Sequence, residues 1–409
     1  MMPARMDPME TVSGLAGIAG RGPGTDAERR AARWLQGRLR DAGRDAELEP
    51  HWVRPQWPLV HGLHAAGGVA GSVVAVYAPA VGLGILVAVL VSCVLDLIGR
   101  AHLLRRATPQ RATQNVVSPP PPAGGGAERV VRLVVSARYD APRSGLVYRE
   151  AVRRLGARAQ RAAGGRLPGA LGWIVLALIA LAAIAAARLA GLEPGWLGVV
   201  QLVPSAFLLL VVAAMVDIGL SETVPGAVEP ASAAGVALAL AGELDRHPPR
   251  RLGVEVVLAG AGDGPSLGMR GFVRERRRRY RPEATVVLHL EPCGRGRPHW
   301  WTVDGPLVPH RLHPRLRELC EAVADEERHL RACPHRGHGL TGALRARLAR
   351  WPAVAVGCLD DDEIVPGARQ PGDRPGGVDP RAMESALEFC LALVERLDED
   401  LGRRAGAEG

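Results

Sequence analysis

No lysine occurs in the 409 residues: all 51 basic side chains are arginine, against 42 acidic ones, for a net charge of +9. Lysine is missing even from plain surface positions, so most of the charge reads as a general exchange of Arg for Lys rather than a surface built for nucleic acid. Aromatic residues make up only 4% of the chain, and no aromatic platform or groove-reading motif accompanies the basic runs. That excludes a nucleic-acid partner. The six cysteines (93, 293, 320, 333, 358 and 390) include no CxxC and form no dense framework, which fits a reducing compartment. The first residues, Met1-Met2-Pro3-Ala4-Arg5-Met6-Asp7, open no apolar region, so no cleavable signal peptide is expected. What is abundant is apolar: 47% of the residues are hydrophobic, enough for a sizeable core and too many for disorder.

Charge is also absent from long internal stretches. Between Arg54 and Asp96 no acidic or basic residue occurs, a run long enough for two crossings of a hydrocarbon core about 30 Å thick. Pro79 marks the turn. A second block comprises 170–187 and 194–216, separated by Arg188 and Glu193, with Trp173 and Trp196 near the ends. About four transmembrane helices are expected, dividing the chain into 1–58, a hairpin at 59–99, 100–168, a hairpin at 169–218, and 219–409. Arg100, Arg105, Arg106, Arg153, Arg154, Arg158, Arg161 and Arg166 flank the spans on one side, against Arg188 on the other. By the positive-inside rule the soluble mass is cytoplasmic and the protein is a multi-pass cell-membrane protein, with membrane lipids as partners.

Outside the spans, Thr25-Asp26-Ala27-Glu28 reads as an N-cap with its capping acid, opening a surface helix that ends at Gly43. Apolar runs at 46–53, 115–117, 130–137, 254–258, 286–290 and 353–356 read as strands, and 119–126 as a solvent loop. Amphipathic stretches at 232–244, 314–323 and 380–397 read as helices. The alternation predicts an α/β fold: a mostly parallel central sheet with helices on both faces. Chemistry in such sheets gathers at the carboxyl ends of strands. There the chain carries Arg138-Tyr139-Asp140, Gly226-Ala227-Val228-Glu229-Pro230, Gly260-Ala261-Gly262-Asp263 and Glu291-Pro292-Cys293-Gly294.

This order resembles the di-zinc aminopeptidases of the aminopeptidase Y type, the twenty-eighth metallopeptidase family, in one superfamily with bacterial leucyl and glutaminyl-cyclase-like enzymes. The resemblance rests on Gly24-Thr25-Asp26-Ala27-Glu28, on Gln114-Asn115-Val116-Val117 followed by Ser136-Ala137-Arg138-Tyr139-Asp140, on Gly226 to Ser232, on Gly268-Met269-Arg270-Gly271-Phe272, and on Pro371-Gly372-Asp373 through Pro380. It implies a zinc-exopeptidase-like fold interrupted by two transmembrane hairpins, and a site that departs from the family's pattern. The first and last His positions are Arg138 and Arg369, and a guanidinium has no lone pair to give a metal. The bridging and later Asp positions hold Glu229 and Glu291, and only Asp140 is unchanged. The acidic pair is Gly262-Asp263, or Asp263-Gly264 if shifted by one, so one carboxylate stands where two are needed.

Two outcomes follow from the resemblance. In one, Arg138 and Arg369 pair with some of Asp140, Glu229, Asp263 and Glu291 in a metal-free network, and the protein is a pseudoenzyme that binds a peptide or protein partner or acts as a scaffold. In the other, those four carboxylates hold zinc or another divalent metal, oxygen ligands alone suiting Ca²⁺ or Mg²⁺ better, and the protein remains a membrane-bound aminopeptidase or related hydrolase. Cys333-Pro334-His335-Arg336-Gly337-His338, with His310 and His313, matches no closed zinc spacing and reads as exposed loop. The run Arg274-Glu275-Arg276-Arg277-Arg278-Arg279-Tyr280-Arg281 reads as a solvated helix end or a contact for anionic lipid heads. Ser144 and Ser266 have no His and Asp at triad-like positions.

Overall fold

The computed structural model describes residues 6–122, 130–192 and 194–407. Part of the expected solvent loop (123–126) and Glu193 lie outside the described residues. The chain opens with α1 (Pro8–Gly17) and α2 (Asp26–Asp41); Thr25 caps α2 by accepting the Glu28 N–H at 3.1 Å, and Ala31, Ala32, Leu35 and Leu39 bury its inner face. Strand β1 (Glu47–Val53) follows, then α3 (Trp57–Tyr77) and α4 (Pro79–Leu97), which turn at Ala78-Pro79. The chain returns as β2 (Arg111–Ser118), paired antiparallel with β1 from Glu47↔Val117 to Val53↔Arg111. Next come β3 (Val131–Arg138), α5 (Glu150–Ala162), α6 (Gly172–Leu189) and α7 (Leu197–Leu220). The remainder is α8 (Ser232–Arg246), β4 (Leu252–Ala259), α9 (Leu267–Arg276), β5 (Thr285–Leu290), β6 (Arg297–Asp304), β7 (His310–Arg311), α10 (Pro314–Glu326), β8 (Cys333–Arg336), α11 (Gly342–Leu348), β9 (Ala353–Leu359) and α12 (Pro380–Ala407).

The strands form one sheet in the order β1-β2-β4-β3-β5-β9-β6-β7, with β8 beside β6. Only the centre, β4-β3-β5-β9, and the β6–β8 pair are parallel; β1–β2, β2–β4, β6–β9 and β6–β7 are antiparallel. The expected mostly parallel sheet is therefore a mixed one. Strands β6, β7 and β8 escaped sequence reading. Strands β7 and β8 are short and partly exposed. Strand β6, though mostly buried, interrupts its apolar residues with Arg297, Pro298 and His299 and so lacks the continuous apolar run of a buried parallel strand. Helix α8 packs on the sheet beside α1 and α12, while α9 and α11 pack together and against β2, β5 and β9.

Among the described residues, five helical stretches are long and apolar enough to cross a membrane, one more than the sequence suggested. Burial separates them. The fifth, Ala227–Arg246, has 94% of its most apolar window inside the protein and is the core helix under the sheet, whereas α7 has only 11% buried. Helices α3, α4, α6 and α7 pack on one another around Leu86, Cys93, Leu178 and Leu208, separately from the main core. At Gly82 a Cβ would sit 2.4 Å from the Ala75 backbone, so glycine sets how closely α3 and α4 approach. Gln201 on α7 donates to the Ser72 carbonyl of α3 at 2.8 Å, a polar bond between two otherwise apolar helices. Val199, Leu202, Val203 and Leu210 leave an apolar outer face on α7.

Candidate functional site

The carboxyl ends of β3 and β4, the turn before α8 and the loop after β9 bring four charged side chains together. Arg138, the last residue of β3, donates from Nη2 to Glu229 Oε1. Arg369 reaches the same oxygen with Nε at 3.2 Å and Asp263 Oδ1 with Nη2 at 2.7 Å. Its guanidinium also lies 4.6 Å from the centre of the Tyr148 ring. Two cations and two anions alternate in a site where Arg138 and Arg369 expose only 11% and 15% of their side chains. Burial alone pushes the Glu229 carboxyl up, but the surrounding guanidiniums of Arg369 and Arg138 outweigh it and bring the group down to about 2. Arg369 holds this position with φ of +61°, a left-handed conformation that its ion pairs help to maintain.

The other two carboxylates of the set face elsewhere. Asp140 is fully buried and accepts the backbone N–H groups of Gly262 at 2.6 Å and Asp263 at 2.8 Å, so it fixes the loop that presents Asp263. Its desolvated carboxyl is raised above the ordinary aspartate range despite the nearby Arg138. Glu291 follows β5 and pairs with His289 Nε2 at 3.3 Å. The four carboxylates therefore do not converge on one point. At Gly262 there is no space for a side chain: a Cβ there would meet Arg138 Cβ at 2.6 Å and Cδ at 2.8 Å.

Three supporting residues were missed in sequence as site residues: Arg21 lies in none of the family-like segments, while Glu28 and Asp373 lie within two of them without being read as part of the site. Arg21, fully buried, donates to the carbonyls of Tyr139 (3.0 Å), Gly226 (2.9 Å) and Pro225. Asp373 accepts the N–H groups of Val228 (2.6 Å) and Glu229 (3.3 Å), and burial raises its carboxyl to about 6. Glu28 accepts from Gly24 N (2.7 Å), Thr113 Oγ1 (2.9 Å) and Ala261 N (2.7 Å), and burial, reinforced by Asp140, raises it to about 8. Glu28 and Asp140 thus hold one loop from two sides. The signal for Glu28 was visible as the capping acid of α2, but its second role depends on the sheet bringing residue 261 beside it.

The remaining sequence candidates separate. Cys333 and His335 lie on β8, a half-exposed edge strand rather than a loop, and His335 Nδ1 pairs with Glu363 at 2.7 Å. His310 is in β7 and His313 precedes α10. In the basic run, Arg276 turns inward to Glu49 and lies 4.3 Å from the Phe272 ring centre, while Tyr280 stacks on Trp351; Arg274, Arg277, Arg278 and Arg279 stay exposed. Ser144 and Ser266 donate to the carbonyls of Glu222 and Leu340. A Ser–His–Glu line that sequence reading missed runs from Ser136 Oγ to His289 Nδ1 (2.9 Å) and on to Glu291, but Ser136 is fully buried within β3, closed to any substrate.

A cavity of about 660 Å³ lies between the Arg369 loop and the apolar helices. Its walls are mostly apolar, with Trp173, Phe207, Val211 and Met215 among them, and its polar groups include Arg369, Arg153 and His338. Arg369 Nη1 is buried without a hydrogen-bond partner among the described residues. Asp263 Oδ2 meanwhile accepts from Trp57 Nε1 at 3.3 Å, tying the charged site to the first residue of α3. A second cavity of about 660 Å³ at the foot of α3 and α4 is lined by Arg54, Arg100, Arg106, Arg270 and Arg274, beside Trp52, which is 72% exposed.

No family model matches the chain, and no curated protein gives a significant sequence match. Solved structures do resemble it. A Zn-dependent exopeptidase from Parabacteroides distasonis superposes with a TM-score of 0.53 over 97% of this chain and 99% of its own, at 10% identity. A glutaminyl cyclase from Bacteroides thetaiotaomicron, bound to N-acetylhistamine, gives 0.53 over 96% and 99%, at 11% identity. The LapA aminopeptidase of Legionella pneumophila gives 0.51 over 97% and 72%, at 10% identity. At these identities the likeness is one of fold: the chain has the mixed α/β fold of zinc-dependent exopeptidases and glutaminyl cyclases.

Proposed function

We propose that the chain is an integral membrane protein whose exopeptidase-like domain is non-catalytic and metal-free at its ancestral centre, and that it binds a ligand between that domain and a four-helix membrane anchor. The observation that carries this reading is the alternating Arg138–Glu229–Arg369–Asp263 set. The guanidiniums neutralise the two carboxylates that a metal would need, and the Arg138 side chain fills the space beside Gly262 where a second acid would stand. Binding remains feasible because Arg369 lines the adjoining cavity with a free Nη1, suited to the carboxylate or carbonyl end of a peptide whose apolar part contacts the helices. Trp173 and Trp196, both exposed near helix ends, fit the aromatic belt of a spanning bundle. The excess of arginine beside the helices on one side supports a cytoplasmic domain, and the arginine-lined cavity beside Trp52 suits anionic lipid heads.

The test uses the full chain in detergent with any affinity tag removed. Supplied with zinc, it is expected to release no amino acid from aminoacyl substrates and to cyclise no N-terminal glutamine. Zinc-dependent turnover abolished by Asp263→Ala would overturn the proposal.

A further inference from the structure

The apolar hairpin contains the one tight group of imidazole and thiol ligands among the described residues. His61 and His64 lie three residues apart near the start of α3, and Cys93 lies near the end of α4, which runs back alongside it. One ligand atom from each can be chosen so that all lie within 4.8 Å of one another, and all three residues are buried. A tetrahedral or trigonal ion with bonds of about 2.0–2.3 Å needs ligand atoms somewhat closer, a contraction within reach of side-chain torsions.

The surroundings are those of a supported site. Nδ1 of His61 and Nδ1 of His64 are both buried with no hydrogen-bond partner among the described residues. Both opposite nitrogens have oxygens nearby: His64 Nε2 is 2.9 Å from Ser92 Oγ, and His61 Nε2 is 3.7 Å from Asp96 Oδ2. This is the arrangement by which an oxygen on one ring nitrogen orients the other toward a metal. Asp96 is itself occupied by Arg105, through 2.6 Å and 2.8 Å bonds, and by His102 at 2.6 Å. It serves as the outer acceptor rather than a ligand. An orphaned imidazole nitrogen in so apolar a setting is costly unless something binds it.

We infer that His61, His64 and Cys93 form a binding site for a zinc-class ion at the foot of the α3–α4 hairpin. Two imidazoles and a thiolate select a borderline-to-soft cation over Mg²⁺ or Ca²⁺. Binding displaces the Cys93 thiol proton to solvent, and three protein ligands leave one coordination position for water or another donor. His61 also lines the large cavity shared with Arg369, so the ion would sit against the proposed ligand site. The inference draws on other residues than the Arg138–Arg369 network and stands or falls separately from it.

The experiment is a cobalt and zinc titration of the tag-free full chain in detergent, read by visible absorption and by elemental analysis. One Co²⁺ per chain is expected, with a thiolate-to-cobalt charge-transfer band that zinc bleaches. Cys93→Ser is expected to remove the band, and Ser92→Ala to weaken binding about tenfold. The double variant Glu229→Ala, Asp263→Ala is expected to leave stoichiometry unchanged. Bound cobalt without a thiolate band, or no bound ion in wild type, overturns the inference, and the wild-type readout needs no variant to fold. Metal lost only in the Glu229/Asp263 variant overturns both this inference and the metal-free reading of the soluble site; no metal at all overturns this inference alone.

Discussion

Two buried clusters some distance apart in sequence offer opposite chemistry. At the ends of β3 and β4, carboxylates that could hold a cation are neutralised by Arg138 and Arg369, and even the space beside Gly262 is filled. At the foot of the α3–α4 hairpin, His61, His64 and Cys93 stand with two imidazole nitrogens unpartnered, and the one nearby carboxylate is bound to Arg105. The resemblance read in the sequence implies a metal centre at the first cluster; donor chemistry points to the second. The difference shows that a reaction centre is read from its side chains rather than from the sheet that carries it.

The largest expected effect breaks the first cluster. Arg369→Met leaves Glu229 and Asp263 with a buried charge excess, which costs about 3–5 kcal/mol. Denaturant unfolding of the full chain in detergent measures it, and a loss under about 1 kcal/mol would mean that water already screens the network. Next is the filled space. Gly262→Ala drives a methyl into Arg138, with an expected cost of about 1–3 kcal/mol that shrinks in an Arg138→Gly background, where both the Cβ and the Cδ it would meet are gone. Equal costs in the two backgrounds would show that Arg138 does not occupy the vacated position.

The smallest effect is one of pH. Glu28 is raised from 4.5 to about 8 in the fold, so between those values the folded state holds a proton that the unfolded state has lost. Its contribution is therefore complete below pH 4.5 and declines as pH rises through 8, by at most about 1.4 kcal/mol per pH unit. Asp373, raised from 3.8 to about 6, adds to the decline at its lower end. Glu28→Gln is expected to flatten the pH 6–8 portion of a stability profile; an unchanged slope there would remove Glu28 as its source.

Much of the fold was legible because its central strands are continuous apolar runs: 254–258 and 286–290 fall inside β4 and β5, with one or two residues added at the ends by pairing. The four exposed apolar helices were legible from the absence of charge; the stretch Ala227–Arg246 also reaches spanning length, but its mean hydropathy of 1.2 is the lowest of the five and 94% of its window is covered. Arg138 and Arg369 were legible as departures from a motif. Their shared partner Glu229 oxygen was not, since it depends on how the loop after β9 folds back over the turn before α8. The hairpin cluster left a faint trace, His61-Gly62-Leu63-His64 and Cys93-Val94-Leu95-Asp96, each spaced to share a helix face. Only the antiparallel register of α3 and α4 places the two together.

The most direct measurement is a zinc titration of the tag-free Cys93→Ser chain, which leaves the exopeptidase-like centre as the only one of the two clusters intact. The expected result is no bound zinc and no turnover of aminoacyl substrates. Stoichiometric zinc that disappears on Glu229→Ala would contradict the assignment of Arg138 and Arg369 as the occupants of the metal positions.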